Sequence, residues 1–380
     1  MPADSSLQTA APTRLPARRD DLLGVEPYGA PQIDVPHPLN VNENPFGPSA
    51  ALAADLARAV QQAAAGLNRY PDREFTALRA DLASYLAEES GIPAPPVEAV
   101  WAANGSNEVM HQLLLAYGGP GRTALGFTPH YSMYPEYARD TFTRWVTVPR
   151  GAAPEFALTP EQVTAAIAEH EPDIVVLTSP NNPTGTALDP AVIRAAAEAL
   201  APRAGMLVVD EAYGEFRREG VPSALELLSE TPHLVVTRTM SKAFALAGGR
   251  IGYLVADPGI VDGLRVVRLP YHLSAVTQAV ARTALAHRGE LLAQVAVLRA
   301  ERDALVAWLA ARGHVVAPSD ANFVYFQPLD GADRHRTWQG LLDRGVLIRE
   351  VGEAPWMRVS VGTPDDNAAF RSALEEVDPR

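Results

Sequence analysis

The 380-residue chain contains no cysteine, which excludes disulfides and thiolate metal sites and fits a reducing cytosol. Basic residues are in short supply, with 32 Lys and Arg against 45 Asp and Glu for a net charge of −13. A surplus of acid repels phosphate backbones, so nucleic acid is not the expected partner. No apolar run reaches the roughly 18 residues that a membrane span needs. The opening Met1-Pro-Ala-Asp-Ser-Ser6 has no basic region leading into an apolar core, so no signal peptide is expected. These absences point to a cytoplasmic, soluble enzyme or binding protein. What is present supports that: 47% hydrophobic and 20% charged residues describe an ordinary globular chain. Its length exceeds what one core usually supports, so two domains are expected.

Residues 1–30, rich in Pro, Ala, Arg and Asp without a period, read as a mobile arm. A Pro/Gly/Asn-dense loop follows at Leu39–Pro48, and Ser49 then caps an alanine-rich helix that runs to about Gly66. After the turn Asn68-Arg-Tyr-Pro-Asp72, a helix carries Phe75, Leu78, Leu82 and Leu86 on one face. From Val97 onward short apolar runs alternate with helical stretches, the signature of a mostly parallel sheet. The expected strands are 97–102, 122–127, 144–149, 173–178, 206–210, 234–238 and 251–255, with helices near 106–117, 132–138, 160–169 and 189–201. Helices at about 258–268, 275–287 and 290–312 lead to a second unit. It has strands near 322–327, 346–349 and 357–361 and a last helix from Pro364. The fold class is therefore α/β.

The chemistry concentrates where these strands end, the edge at which open α/β sheets bind ligands. In Arg238-Thr-Met-Ser-Lys-Ala-Phe-Ala-Leu-Ala-Gly-Gly-Arg250, Lys242 is able to form a Schiff base, and Thr239, Ser241 and Arg250 suit a phosphate. An aldehyde and a phosphate on one small molecule suggest pyridoxal phosphate. In Ala103-Asn-Gly-Ser-Asn-Glu108 a glycine turn opens a helix whose first N–H groups, those of Ser106 and Asn107, are candidates for the phosphate. Tyr131, with Tyr134 as the alternative, is placed to stack on a planar ring. Asn182, in Ser179-Pro-Asn-Asn-Pro-Thr-Gly185, projects an amide toward a phenolic oxygen. Asp210 ends an apolar strand, where a free charge is costly to bury. Beneath a pyridine nitrogen it would hold the ring protonated, and Tyr213 lies three residues on with a hydroxyl for the ring oxygen. Each stretch alone reads equally well as a turn, a helix cap or a packing residue; their order along one sheet edge makes the case. Lys242, Asp210 and Tyr213 are the catalytic candidates.

With these residues in hand, the chain resembles fold type I pyridoxal-phosphate enzymes of the class II aminotransferase group. More narrowly it is similar to the histidinol-phosphate aminotransferases. The narrower likeness rests on Asn42-Glu-Asn-Pro-Phe-Gly-Pro48, Arg69-Tyr-Pro-Asp72, Ala103–Glu108, Leu269-Pro-Tyr-His-Leu-Ser274 and Trp356-Met-Arg-Val-Ser-Val-Gly-Thr363. It spans nearly everything from Leu39 to the C-terminal helix. The resemblance implies a large domain with a mostly parallel seven-stranded sheet flanked by helices, at 67–272, and a smaller α+β domain at 273–380 joined by 31–66. It also implies a homodimer with shared active sites, in which Tyr70 reaches the partner's cofactor phosphate. Arg358 and Arg349 correspond to substrate arginines, and Asn44 to a substrate-side position. Two stretches depart from the family pattern: Pro129–Asp140, beside the substrate pocket, and Gly248-Gly249.

The implied reaction is transamination of histidinol phosphate with 2-oxoglutarate, an amino donor and a 2-oxo acid acceptor, in histidine biosynthesis. No metal is called for. An aromatic aminotransferase and a threonine-phosphate decarboxylase share the cofactor residues and stay open as alternatives. A regulator that keeps an aminotransferase-like domain would need a DNA-binding module, for which about 30 polar residues before Asp34 are too few. No Gly-x-Gly-x-x-Gly opens a helix, which sets a dinucleotide dehydrogenase well behind.

Overall fold

The computed structural model describes residues 15–329 and 333–379. The expected arm therefore lies partly outside the described residues, and its described portion, 15–30, carries only a short 3-10 turn at Asp20–Leu22. The chain then forms β1 (His37–Pro38), α1 (Ala50–Ala64), α2 (Thr76–Ser90), β2 (Val100–Ala103) and α3 (Ser106–Tyr117). Next come β3 (Thr123–Thr128), α4 (Tyr134–Asp140), β4 (Arg144–Pro149), α5 (Pro160–His170), β5 (Ile174–Thr178) and α6 (Pro190–Leu200). They are followed by β6 (Met206–Asp210), β7 (Leu234–Thr239), β8 (Gly252–Val255), α7 (Pro258–Val267), α8 (Ala275–Ala286) and α9 (Arg288–Ala311). The last stretch holds β9 (Phe323–Phe326), α10 (Arg334–Leu342), β10 (Val346–Leu347), β11 (Arg349–Glu350), β12 (Met357–Ser360) and α11 (Pro364–Val377).

Local chemistry explains many of the boundaries. Four helices open with a capping oxygen followed at once by proline: Thr159-Pro160, Asp189-Pro190, Asp257-Pro258 and Thr363-Pro364. The side chain takes up a free N–H of the first turn, and proline has none to leave unpaired. Ser49 caps α1 by accepting from the Leu52 N–H. β5 and β6 are buried at every residue because both faces of the sheet are covered, which is why they read as unbroken apolar runs.

Seven strands form the central sheet in the order β2-β8-β7-β6-β5-β3-β4. β8 runs antiparallel to both of its neighbours, and the remaining pairs are parallel. A residue just before β8 therefore lies at the same edge as residues just after the other strands. A second, antiparallel sheet has the order β11-β12-β9, and β1 pairs with β10. The expected strand at 346–349 is thus two short pieces serving different sheets. The expected strand at 97–102 begins only at Val100, after a 3-10 turn. Among the described residues no helix is long and apolar enough to cross a membrane.

Candidate active site

A cavity of ≈ 200 Å³ opens at the carboxyl edge of the central sheet. Into it come Ser106 and Asn107 from the start of α3, Tyr131 from the loop after β3, Asn182 after β5, Asp210 and Tyr213 from the end of β6, Thr239, Ser241 and Lys242 after β7, and Arg250 before β8. Arg349 and Arg358 reach it from the second sheet. Of the expected site residues only Asn44 and Tyr70 do not line it. Asn44 is held in a turn, its side-chain carbonyl accepting the Phe46 N–H at 3.0 Å. Tyr70 is 80% exposed and stacks on Tyr271 with ring centres 4.4 Å apart, outside the cavity.

Asp210 lies at the floor. Its carboxylate accepts the Tyr134 hydroxyl at 2.7 Å, the Thr237 hydroxyl at 3.0 Å and the Ala212 N–H at 3.1 Å. All three donors are neutral, and among the described residues no basic side chain is ion-paired with it. Burial accordingly pushes its pKa up, against the pull of those hydrogen bonds. The sequence left the stacking role between two tyrosines, and they have different places. Tyr134 is fully packed and bonded to Asp210, while Tyr131 is half-buried and meets Tyr134 edge-on.

At the opposite end, α3 begins without any side-chain cap, so its first N–H groups face the cavity beside Arg250. Gly105 makes this approach possible. Its φ is +90°, and a Cβ there would fall 2.4 Å from an Arg250 guanidinium nitrogen. Arg250 itself holds φ 53°, a left-handed backbone that non-glycine residues seldom adopt and that clusters at binding sites. The Ser241 N–H donates to the Thr239 hydroxyl oxygen at 3.1 Å, fixing the turn that carries both hydroxyls.

Lys242 donates to the Val41 carbonyl at 3.1 Å. Burial, reinforced by the positive charges of Arg358 and Arg250, pulls its pKa down to about 8. Tyr213 receives the Asn42 amide at 3.0 Å and, more distantly, that of Asn182 at 3.5 Å. Arg349 and Arg358 are paired across neighbouring strands. Arg358 is buried and donates to the Asn182 side-chain carbonyl at 2.6 Å and the Asn40 carbonyl at 2.8 Å, and among the described residues its Nε has no partner. Neither arginine is ion-paired with a carboxylate among the described residues.

Tyr28, Asn40 and Asn42 are among the lining residues that the sequence does not single out. Tyr28 belongs to the stretch read as an arm, where nothing periodic marks it. Asn42 sits two positions before Asn44, and its φ of 55° is a conformation that asparagine tolerates.

The profile of the aminotransferase class I and II family matches residues 37–374. This chain belongs to that family. Family membership makes it a transferase that works with pyridoxal phosphate. It is 60% identical to a histidinol-phosphate aminotransferase from Thermobifida fusca, over 94% of both chains. Its fold superposes on a histidinol-phosphate aminotransferase from Sinorhizobium meliloti, solved in complex with pyridoxal 5'-phosphate, with TM-score 0.77 and 27% identity over 90% of this chain and 91% of that one. A mutant aspartate aminotransferase from Thermus thermophilus matches with TM-score 0.79 and 25% identity, over 95% and 98%. One scaffold thus carries differently named enzymes, and the substrate has to be argued from the cavity.

The aminotransferase's residues fit the cofactor at both ends. The buried Asp210 has hydrogen bonds but no cation, which a protonated pyridine nitrogen would supply. The uncapped start of α3 with Arg250 offers N–H donors and a guanidinium to a phosphate. Among the described residues no cluster of three or more metal-ligating side chains occurs.

Proposed function

We propose that this aminotransferase moves an amino group from histidinol phosphate to 2-oxoglutarate, giving imidazole-acetol phosphate and glutamate, a step of histidine biosynthesis. The observation that carries the reading is the Arg349–Arg358 pair, two cations on one wall without a carboxylate partner. Two guanidinium forks suit a phosphate in one half-reaction and a dicarboxylate in the other. The relatives' names supply the identity of the donor.

In this reading Arg250, Ser241, Thr239 and the N–H groups of Ser106 and Asn107 hold the cofactor's phosphate. Tyr131 stacks on the ring, Asp210 keeps the pyridine nitrogen protonated, and Tyr213 with Asn182 serves the ring oxygen. Bound pyridoxal phosphate supplies an electron sink for the pair released at the substrate's Cα. Lys242 Nζ would hold the cofactor through its aldehyde and, once an incoming amine had displaced it, would be the free base that takes the Cα proton. The lowered pKa of its amine favours both tasks, since only the neutral form is a nucleophile or a base. Arg358 and Arg349 orient the substrate through its phosphate or carboxylate.

The protein acts as a homodimer in this reading, with Tyr70 serving the partner subunit. Leu67, Val266 and Leu269 are all more than half exposed, as is Tyr70, which suits burial against a second copy. Tyr28 and Tyr131 on the cavity favour one rival, an aromatic amino acid as donor. An absorbance spectrum of the holoenzyme decides between them. Histidinol phosphate should shift the visible cofactor band to the pyridoxamine form, and 2-oxoglutarate should restore it. A band that ignores histidinol phosphate but responds to phenylalanine or tyrosine would replace the proposal with the aromatic one.

A further inference from the structure

One further buried arginine, Arg150, has neither a carboxylate partner among the described residues nor a place in the chemistry above. Arg150 follows β4, is only 7% exposed, and is anchored by its N–H to the Thr128 carbonyl at 2.7 Å. Among the described residues its guanidinium makes just two long contacts, to the Phe156 carbonyl at 3.4 Å and the Thr178 carbonyl at 3.5 Å, and Nε has no partner. Burial pulls its pKa down to about 10, so it stays charged at neutral pH. A buried cation satisfied by two distant carbonyls is an uncommon thing to keep in a folded protein.

This guanidinium lines a cavity of ≈ 240 Å³ between the ends of β3 and β4 and the second sheet. Three aromatic side chains, Phe156, Tyr325 and Trp356, contribute to its lining alongside prolines and alanines. Tyr325 stacks on Trp356 with ring centres 4.8 Å apart, and Phe156 meets Trp356 edge-on at 5.0 Å. Phe156 is presented from a left-handed backbone, φ 46°, which a bulky residue rarely adopts. The loop that holds it there is closed by the Gly151 N–H on the Ala157 carbonyl at 2.8 Å, and a Cβ at Gly151 would fall 2.5 Å from that oxygen. Glu353 stands on the same cavity without pairing with Arg150, and it disfavours a second negative charge on whatever enters.

We propose that this cavity is a second binding site, for a small planar monocarboxylate whose anionic end meets Arg150 and whose ring lies among Phe156, Tyr325 and Trp356. A guanidinium fork matches a carboxylate in two parallel hydrogen bonds, the volume admits a single ring, and the aromatic side chains suit its faces. Because the guanidinium also contacts the carbonyl of Thr178, a residue that faces the cofactor cavity, the second site lies behind one wall of the first.

The test is calorimetric titration of the holoenzyme with sodium benzoate. Arg358→Gln removes the buried guanidinium that offers benzoate an alternative seat in the cofactor cavity. Saturable binding that survives Arg358→Gln, weakens at least tenfold in Arg150→Gln and strengthens severalfold in Glu353→Gln is the expected result. Sodium phosphate at equal concentration should compete poorly. Binding that vanishes in Arg358→Gln, is unchanged in Arg150→Gln, or is displaced equally by phosphate overturns the proposal, as does the lack of any saturable binding. Should Arg150→Gln fail to fold, Glu353→Gln decides the matter: an unchanged affinity there also overturns it.

Discussion

Asp210 and Glu211 are neighbours at the end of β6, both carboxylates and both buried, and they are treated in opposite ways. Successive side chains at a strand end point to opposite faces. Asp210 faces the cavity and meets only neutral donors. Glu211 faces away and is ion-paired with Arg238 at 2.7 Å, while also accepting the Ser223 hydroxyl and the Ala224 N–H at 2.7 Å each. Arg238 is fully buried and further shared with Glu215 and Glu89. The difference separates two uses of a buried charge. Where the fold alone must be satisfied, charge meets charge. Where a ligand is to be held, the protein supplies hydrogen bonds and leaves the opposite charge to the ligand.

The comparison breaks most sharply at Glu211→Gln. Removing one member of a buried ion network strands the rest, so stability should fall by about 3–5 kcal/mol in urea unfolding. Activity per folded molecule should change little. Asp210→Asn should do the reverse. Turnover should drop by about 10²–10³-fold, as when a preorganised charge partner is lost, while the urea midpoint holds or rises. If both variants lost stability equally, the distinction between the two carboxylates would fail.

Lys242 sharpens it through pH. With its amine at about pKa 8 in the folded protein, the neutral fraction grows about tenfold per pH unit below that value and levels off above it. The initial rate at which apoenzyme takes up pyridoxal phosphate should follow the same curve, and a flat profile from pH 6 to 8 would remove the amine from that role. The smallest effect is expected at Tyr134→Phe. It deletes one neutral donor to Asp210 and should cost about 1 kcal/mol, a few-fold in turnover.

The alternation of buried strands and helices was legible because a covered parallel sheet writes unbroken apolar runs, as in Ile174–Thr178 and Met206–Asp210. Lys242, Asp210 and Arg250 were legible because each lies next to the end of such a run. α10 went unnoticed because only Thr337 and Leu341 of its nine residues are buried, too little for a helical period. β1 is two residues long, includes a proline, and exists only through its pairing with β10. The involvement of Tyr28 depends on where a stretch without local pattern is laid against the rest of the molecule. Asn42 enters the cavity through a left-handed turn that its residue type tolerates but that no periodic pattern announces.

Gly252 begins β8 and is paired with Thr239, the last residue of β7. A Cβ on Gly252 would sit 2.0 Å from the backbone nitrogen of Ser106. Glycine is therefore the residue of β8 that can pass under the start of α3, and it works like a keyed tooth in a gear. Slipping β8 by one position would drive a side chain into that helix and turn Tyr253 and its neighbours to the wrong face. The loop between the two paired residues carries both Lys242 and Arg250, so the distance between amine and guanidinium is indexed by one tooth. An insertion in that loop would leave both strands locked in place and absorb the extra length between the two functional groups. The sheet would survive, and the spacing that a single ligand must bridge would not.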